Sequence, residues 1–159
     1  MKFIDINEDN REQVNNFLME YWYSTDMVLR GAIVDMTKIS GIIVYDDKDK
    51  IIGLLTYIIT DGVCELISLD SIEEGKGIGT LLIEQLIQIA KVHNCRKIIL
   101  ITTNDNVSAI RFYQKKGFDM IRVYFNALET SRKLKPAIPL VGDNEIPLKH
   151  EIEFELKIT

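Results

Sequence analysis

Cysteine, histidine and long apolar runs are scarce in this chain of 159 residues, and each scarcity excludes a class of protein. The two cysteines, Cys64 and Cys95, are too few for a disulfide framework, and we expect both to be buried thiols in a reducing cytoplasm. The two histidines, His93 and His150, stand apart without metal-ligand or nucleophile–histidine spacing, so no metal is expected. Charges interrupt every apolar run before the roughly 18 residues of a membrane span, and the first residues lack a signal-peptide pattern. We therefore expect a cytoplasmic protein that does not bind membranes.

Positive charge is also in short supply, since 19 Lys and Arg against 24 Asp and Glu give a formal net charge of −5. This balance argues against nucleic-acid binding and is compatible with a cationic amine as substrate. All three prolines fall within residues 129–150, so this stretch predicts a long loop before the last strand. The remaining composition, 47% hydrophobic and 27% charged, is typical of a globular protein, and the length predicts a single domain over residues 1–159.

A glycine-rich run joins an apolar, strand-like stretch at residues 63–69 to a strongly helical stretch at residues 78–93. Its sequence is Glu74-Gly75-Lys76-Gly77-Ile78-Gly79-Thr80. Such a turn leaves the first N–H groups of the helix open to a ligand, and the helix dipole adds positive potential, so the run predicts an anion site. The P-loop pattern does not fit because no lysine follows Gly79, and the dinucleotide pattern does not fit because position 80 is threonine.

A second motif follows one helix and one strand later. It reads Asn106-Val107-Ser108-Ala109, then the aromatic pair Phe112-Tyr113, then Gly117-Phe118. Together the two motifs resemble the GNAT superfamily of N-acetyltransferases, in which an x-x-G-x-G turn holds the coenzyme A pyrophosphate. The resemblance is strong over residues 50–125 and weaker in the flanks. One departure is Glu74, where the family usually has Arg or Gln, because a carboxylate near a pyrophosphate is unfavourable unless it points into solvent.

The resemblance implies an α/β (α+β) GNAT fold, with a mixed, mostly antiparallel, twisted sheet of about seven strands flanked by about four helices. It implies acetyl-CoA as acetyl donor, bound through the turn residues Gly75, Lys76, Gly77, Ile78, Gly79 and Thr80. It further implies that the N–H of Leu69 is the oxyanion donor and that Asn106 orients the coenzyme arm. Tyr113 matches the family residue whose hydroxyl faces the thioester sulfur, and we expect it to protonate the leaving thiolate.

Helical spacing places Tyr113 on one face with Asn106 and Ala109, while Phe112 is expected to turn toward the core. The competing interpretation makes Tyr113 a packing residue.

The base that deprotonates the amine is left open among Glu65, which is the first candidate, Asp70 and water. Glu65 lies in an apolar strand, in phase with Ile67 and Leu69, where desolvation would raise its pKa toward that of a useful base. Strand carboxylates at a similar place serve as base in several GNAT enzymes. A structural salt bridge is the competing interpretation for Glu65, and Asp70 at the strand end is the second candidate.

On the acceptor side, the pattern predicts a short helical piece from near Ser24 to Gly31. In GNAT folds this region forms one wall of the acceptor pocket, so Trp22, Tyr23 and Arg30 are candidates for substrate contact, with simple packing as the alternative. The resemblance also puts the loop of residues 129–150, which begins with Arg132 and its neighbours, at the mouth of that pocket; the alternative is a solvated loop.

The sequence therefore predicts an acyltransferase that moves an acetyl group from acetyl-CoA to a primary amine of a small molecule or peptide, by direct attack in a ternary complex. The alternative is a non-catalytic coenzyme A-binding regulatory domain of the same fold. A homodimer is compatible with the resemblance, and no motif specifies the acceptor.

Overall fold

The computed structural model describes residues 1–73 and 75–158 of the chain. Over these residues strands and helices follow one another in this order: β1 (Lys2–Asp5), α1 (Arg11–Trp22), β2 (Asp26–Leu29), β3 (Ala32–Asp35), β4 (Ser40–Tyr45), β5 (Ile51–Thr60), β6 (Val63–Ser71), α2 (Ile78–Val92), β7 (Lys97–Thr103), α3 (Val107–Lys115), β8 (Asp119–Tyr124), α4 (Ala127–Leu134) and β9 (Glu151–Lys157).

Seven of these strands form one sheet in the order β1-β4-β5-β6-β7-β9-β8, and β2 and β3 form a separate hairpin. The pairs β1–β4, β4–β5, β5–β6 and β8–β9 are antiparallel. The predicted fold class, a mostly antiparallel sheet of seven strands with four helices, is confirmed.

Contacts divide the described chain into two compact units. The first comprises residues 1–26 and 35–98 with Ile158, and it contains β1, α1, β4, β5, β6 and α2. The second comprises residues 27–34 and 99–157, and it contains the β2–β3 turn, most of β7, α3, β8, α4 and β9.

In the first unit, helices cover both faces of the sheet. Helix α2 lies against the face that carries Gly53, where an added Cβ would stand 2.7 Å from Cγ2 of Ile78. Glycine at this position therefore lets the start of α2 approach β5 closely. Helix α1 covers the opposite face. Trp22 at its end contacts Asp70, which pairs with Leu54 of β5. Because Leu54 follows Gly53 in the strand, the two residues face opposite sides of the sheet.

Two-residue turns shape the hairpins of both units. The dipeptide Asp61-Gly62 predicts a tight hairpin turn, and the structure has this turn between β5 and β6, with φ values of 51° and 77°. The helical piece expected from Ser24 to Gly31 is wrong, because Arg30 and Gly31 also adopt positive φ, 49° and 71°, and join β2 to β3. Apolar residues on both sides of such a turn favour paired strands over a helix.

The stretch expected as a loop over residues 129–150 also differs from its prediction. Its first residues belong to α4, in which Leu128 and Ser131 are buried. The Leu128 N–H in the first turn of α4 donates a hydrogen bond to the Lys149 carbonyl. Within the part of the chain that the structure describes, no helix has the length and apolar content needed to cross a membrane.

Candidate acetyl-CoA and proton-transfer site

The glycine-rich turn ends in an N-terminus suited to an anion. Gly75 and Gly77 have φ values of 79° and 71°, a conformation that favours glycine, and an added Cβ at either would meet no described atom within 4 Å. The first bond of α2 runs from the Leu81 N–H to the Gly77 carbonyl at 3.0 Å, so the N–H groups of Ile78, Gly79 and Thr80 precede it. Among the described residues no side chain caps this end. Backbone donors and the helix dipole therefore point out of the turn together.

Lys76 is the cation of this turn, and it forms an ion pair with Glu73. The hydrogen bond and charge of Glu73 raise the Lys76 pKa, which keeps its ammonium group protonated. Part of the Lys76 charge is therefore balanced by a carboxylate, and the backbone N–H groups are the other candidate donors to an anion. Glu74, the departure from the family pattern, lies outside the described residues.

The two candidate bases on β6 lie on the same face of the sheet. Strand β6 has one extra residue at Ile67, because Thr56 pairs with Ser68 while Tyr57 pairs with Leu66. This bulge shifts the alternation by one residue. Glu65 thus shares a face with Ser68 and Asp70, and the expected phase with Ile67 and Leu69 is wrong.

Glu65 is half-buried on that face, opposite Ile58 of β5. Between Glu65 and Asp70, the hydroxyl groups of Thr56 and Ser68 form a buried hydrogen bond of 2.6 Å. This polar pair was not predicted, and two small hydroxyl residues in separate strands gave no signal of their pairing.

Asp70, at the end of β6, is a carboxylate with a strongly perturbed proton affinity. Burial raises its pKa to about 6, and a hydrogen bond from Trp22 opposes that rise. The indole Nε1 lies 3.1 Å from each carboxylate oxygen. A carboxylate with a pKa near neutrality can accept and release protons at physiological pH.

The backbone N–H and C=O groups of Leu69 point away from β5. A bond of 2.9 Å from the Ile72 N–H to the Ile52 carbonyl fixes the phase of the ladder, in which hydrogen-bonded and non-hydrogen-bonded pairs alternate. The pair of Leu69 with Leu55 is accordingly a non-hydrogen-bonded pair. The Leu69 N–H is therefore directed toward the side of β6 that faces away from β5.

In the second unit, α3 carries the residues of the later motif. The Asn106 Oδ1 accepts a 3.1 Å hydrogen bond from the Ala109 N–H and caps the helix. This cap uses the acceptor atom of the amide and leaves its NH₂ group as the donor for a ligand.

Tyr113 is the buried residue of α3, so the expectation that Phe112 turns toward the core is wrong. The Tyr113 ring makes edge contacts with Phe112 and Phe118, at centroid distances of 5.3 and 5.6 Å, and a tilted contact with Phe154 at 6.0 Å. Phe112 is half-buried beneath the Lys116 ammonium group. The helix is oriented this way because Phe154 of β9 packs against Tyr113. The sequence of α3 alone does not predict this contact.

Arg30, a candidate for substrate contact, binds residues of β9 instead. Its N–H donates to Glu151 at 3.2 Å and its guanidinium group forms an ion pair with Glu153 at 3.3 Å. The Tyr124 hydroxyl donates to the same Glu153 oxygen at 2.7 Å. Glu151 and Glu153 are both buried, and these bonds explain how β9 accommodates carboxylates there.

Arg132 stabilises the segment that follows α4. Its guanidinium group donates to the carbonyl groups of Ile138, Pro139 and Leu148 at 3.3, 2.7 and 2.5 Å. This segment is therefore tied to α4 and is not a freely solvated loop. Across residues 1–73 and 75–158, no group of three or more His, Cys, Asp or Glu side chains is arranged to hold a metal ion.

Comparison with known proteins identifies the family. The model of the acetyltransferase (GNAT) family matches residues 6–118, which is more than half of the chain. Two uncharacterised proteins of Bacillus subtilis (strain 168) are similar: YxbD is 44% identical over 142 residues, 89% of each chain, and YdhI is 42% identical over 154 residues, 97% of this chain and 96% of that one.

Solved structures show the same fold. The chain is similar to a Bacillus subtilis acetyltransferase in complex with CoA, with a TM-score of 0.70 and 17% identity over 99% of each chain. It is also similar to a GNAT family acetyltransferase from Elizabethkingia anophelis with acetyl-CoA bound, with a TM-score of 0.69 and 16% identity over 98% of this chain and 97% of that one. The two sequence motifs, the open helix N-terminus and these matches agree, and the chain belongs to the GNAT family of acetyltransferases, acyltransferases that use acetyl-CoA.

Proposed function

We propose that this acetyltransferase moves the acetyl group of acetyl-CoA to a primary amine of a small molecule or peptide, by direct attack in a ternary complex. The observation that carries the proposal is Asp70, a carboxylate at the end of β6 whose pKa is raised to about 6 and whose two oxygens are oriented by Trp22. A neutral amine that attacks a carbonyl carbon must lose a proton as the C–N bond forms, and a positioned carboxylate with this pKa can take it.

The proton balance of the transfer involves two side chains. The amine nitrogen attacks the thioester carbonyl carbon, a C–N bond forms, and Asp70 takes the amine proton directly or through water. The C–S bond then breaks, and Tyr113 gives its hydroxyl proton to the departing thiolate. A phenol pKa of about 10 lies close to that of a thiol, so this transfer is nearly balanced.

Coenzyme binding is assigned to the backbone. The N–H groups from Gly75 to Thr80 hold the pyrophosphate with support from Lys76, and the Asn106 amide orients the coenzyme arm. Leu69 donates its N–H to the oxygen that becomes negative during attack. The phase of the β5–β6 ladder supports this last assignment, since it turns that N–H away from β5.

Asp70 is preferred to Glu65 as the base. Glu65 lies on the same sheet face and is also half-buried, so its position alone does not exclude it. The raised pKa and the oriented carboxylate single out Asp70.

A non-catalytic coenzyme A-binding regulatory domain is the second candidate, because a turn of this kind can bind coenzyme A in a protein that catalyses no reaction. Incubation with acetyl-CoA and a panel of primary amines, diamines and peptides separates the two. The proposal predicts release of CoA together with an N-acetylated product identified by mass spectrometry. Saturable CoA binding with no product from any amine in the panel would favour the regulatory domain.

The location of the protein, its domain organisation, the charge of its acceptor and its oligomeric state belong to the same proposal. We place the protein in the cytoplasm, where Cys64 and Cys95 stay reduced, and we treat residues 1–159 as one catalytic domain. The net charge of −5 favours a cationic acceptor over nucleic acid. A homodimer is proposed as compatible with the fold, and sedimentation velocity measures it directly.

A further inference from the structure

Trp22 and Asp70 form a hydrogen-bonded pair, and neither residue belongs to the two family motifs. Trp22 is the last residue of α1, and Tyr23 ends the helix in a left-handed conformation with φ of 57°. The indole Nε1 reaches across to β6 and stands 3.1 Å from both Oδ1 and Oδ2 of Asp70. One donor shared between both oxygens restrains the rotation of the carboxylate as well as its position.

We propose that Trp22 is a positioning residue for Asp70, whose indole N–H holds the carboxylate in one orientation and favours its ionised form. The indole nitrogen only donates, so it can neither take the proton from Asp70 nor compete with it as a base. A donor to the charged form opposes the effect of burial on a carboxylate. Trp22 thereby sets the pH above which the base is available, and this inference rests on the proposed role of Asp70.

Other charged groups near this pair have little part in its proton affinity. On β6 the acid on the same face is Glu65, and the β5 residues opposite, Leu54 and Thr56, do not titrate. The charged residues of α1 are Arg11, Glu12 and Glu20, and the Arg11 guanidinium group donates to the carbonyl groups of Met36 and Ile39. Burial and the Trp22 hydrogen bond are the two influences on the Asp70 pKa.

The competing explanation is structural: the hydrogen bond merely fastens the end of α1 to β6. A fastening contact contributes to stability, but its removal does not move the pH at which activity appears. The two explanations therefore differ in pH dependence, which makes them separable.

The first test uses the fact that Trp22 is the only tryptophan of the chain. Intrinsic fluorescence of the full chain, recorded from pH 4.5 to 8, reports the ionisation of its carboxylate neighbour without any need for activity. We expect a transition with a midpoint near pH 6 in the wild type, and its loss in Asp70→Asn. Absence of that transition in the wild type, or its persistence in Asp70→Asn, would overturn the proposal.

The second test uses Trp22→Phe, which keeps an aromatic ring and removes the N–H. The acid limb of kcat/KM should move up by about 0.5 to 1 pH unit, since a lost hydrogen bond to the charged form raises the Asp70 pKa. Tyr21→Phe is the matched control, because its ring packs on Phe17 in the same helix and its hydroxyl is not part of the pair. An acid limb in Trp22→Phe that coincides with that of the wild type would overturn the inference. If no amine is acetylated at all, the proposed function fails while the fluorescence titration still decides the pairing.

Discussion

At the scale of single residues, the proposed reaction depends on two groups that move a proton in opposite directions. Asp70 takes a proton and is held by Trp22 in the first unit, and Tyr113 gives a proton and is packed among aromatic rings in the second. Tyr113 is buried and Asp70 is half-buried, and this loss of contact with water makes the Asp70 proton affinity sensitive to single substitutions.

Tyr113→Phe should lower kcat by about 10²-fold or more, the usual scale for losing a positioned acid, with nearly unchanged affinity for coenzyme A. The ring contacts with Phe118 and Phe154 are kept, so the fold should persist. Steady-state kinetics over a range of pH, with calorimetry for the coenzyme, measures both quantities. Full activity of the variant at every pH would remove Tyr113 from the mechanism and leave it a packing residue.

Asp70→Asn should raise the free energy of unfolding at pH 8 by about 1 to 2 kcal/mol. The folded state has a pKa of about 6 where an ordinary Asp has 3.8, so it binds the proton more tightly than the unfolded chain does. Wild-type stability therefore falls as pH rises between these values, and above pH 6 the full cost of the buried charge is present. Asparagine carries no such charge, so its advantage should shrink toward pH 4. Urea unfolding at both pH values checks this, and an equal difference at pH 4 and pH 8 would contradict it.

At the scale of elements, the glycine turn and the segment after α4 have different tasks. The turn presents backbone donors at the start of α2, whereas Arg132 holds residues 138–148 against α4. Substitutions in the two elements should accordingly affect coenzyme and acceptor separately.

Gly79→Asp should weaken coenzyme A binding while leaving the fold intact or more stable. The residue lies in the first turn of α2, where a carboxylate interacts favourably with the helix dipole and where any residue other than proline is a better helix former than glycine. The same carboxylate repels a pyrophosphate and adds a side chain where close approach is needed. Calorimetry and thermal unfolding measure the two effects. Unchanged affinity for coenzyme A would exclude this turn as the pyrophosphate site.

Arg132→Ala should alter the KM for the acceptor and leave coenzyme A binding unchanged. The substitution removes the donors to Ile138, Pro139 and Leu148, so amide hydrogen exchange in this segment should also become faster. Lys133→Ala, an exposed neighbour on the same helix, is the control. Faster exchange without any change in acceptor kinetics would show that the segment does not shape the acceptor pocket.

At the scale of the whole molecule, local patterns specified the architecture well. The turn at Asp61-Gly62, the 3.6-residue period of α2 and the two glycine-containing motifs each act over a few residues, and all of them lie where the sequence predicted. Features that depend on distant partners were not predictable. The buried Glu151 carboxylate, for example, accepts a hydrogen bond from the N–H of Arg30, which is 121 residues away in the chain.

In the candidate site, too, local features were predictable from the sequence and features that depend on distant residues were not. The bulge at Ile67 inserts one residue into an otherwise continuous apolar strand, and periodicity read across it assigned Glu65 to the wrong face. The contact between Trp22 and Asp70 spans 48 residues and two elements, so the sequence offered Asp70 only as a second candidate. Tyr113 was identified by its motif, but its burial depends on Phe118 and Phe154.

The pH dependence of kcat/KM for acetyl transfer, compared among wild type, Asp70→Asn and Glu65→Gln, shows directly whether Asp70 is the base. We expect an acid limb near pH 6 in the wild type and in Glu65→Gln, because Asp70 must be ionised to accept the amine proton. Asp70→Asn should lose that limb, and its rate should fall by about 10²-fold. A wild-type rate and an unchanged acid limb in Asp70→Asn would contradict the assignment of Asp70 as the base. Loss of the rate and of the acid limb in Glu65→Gln would contradict it as well.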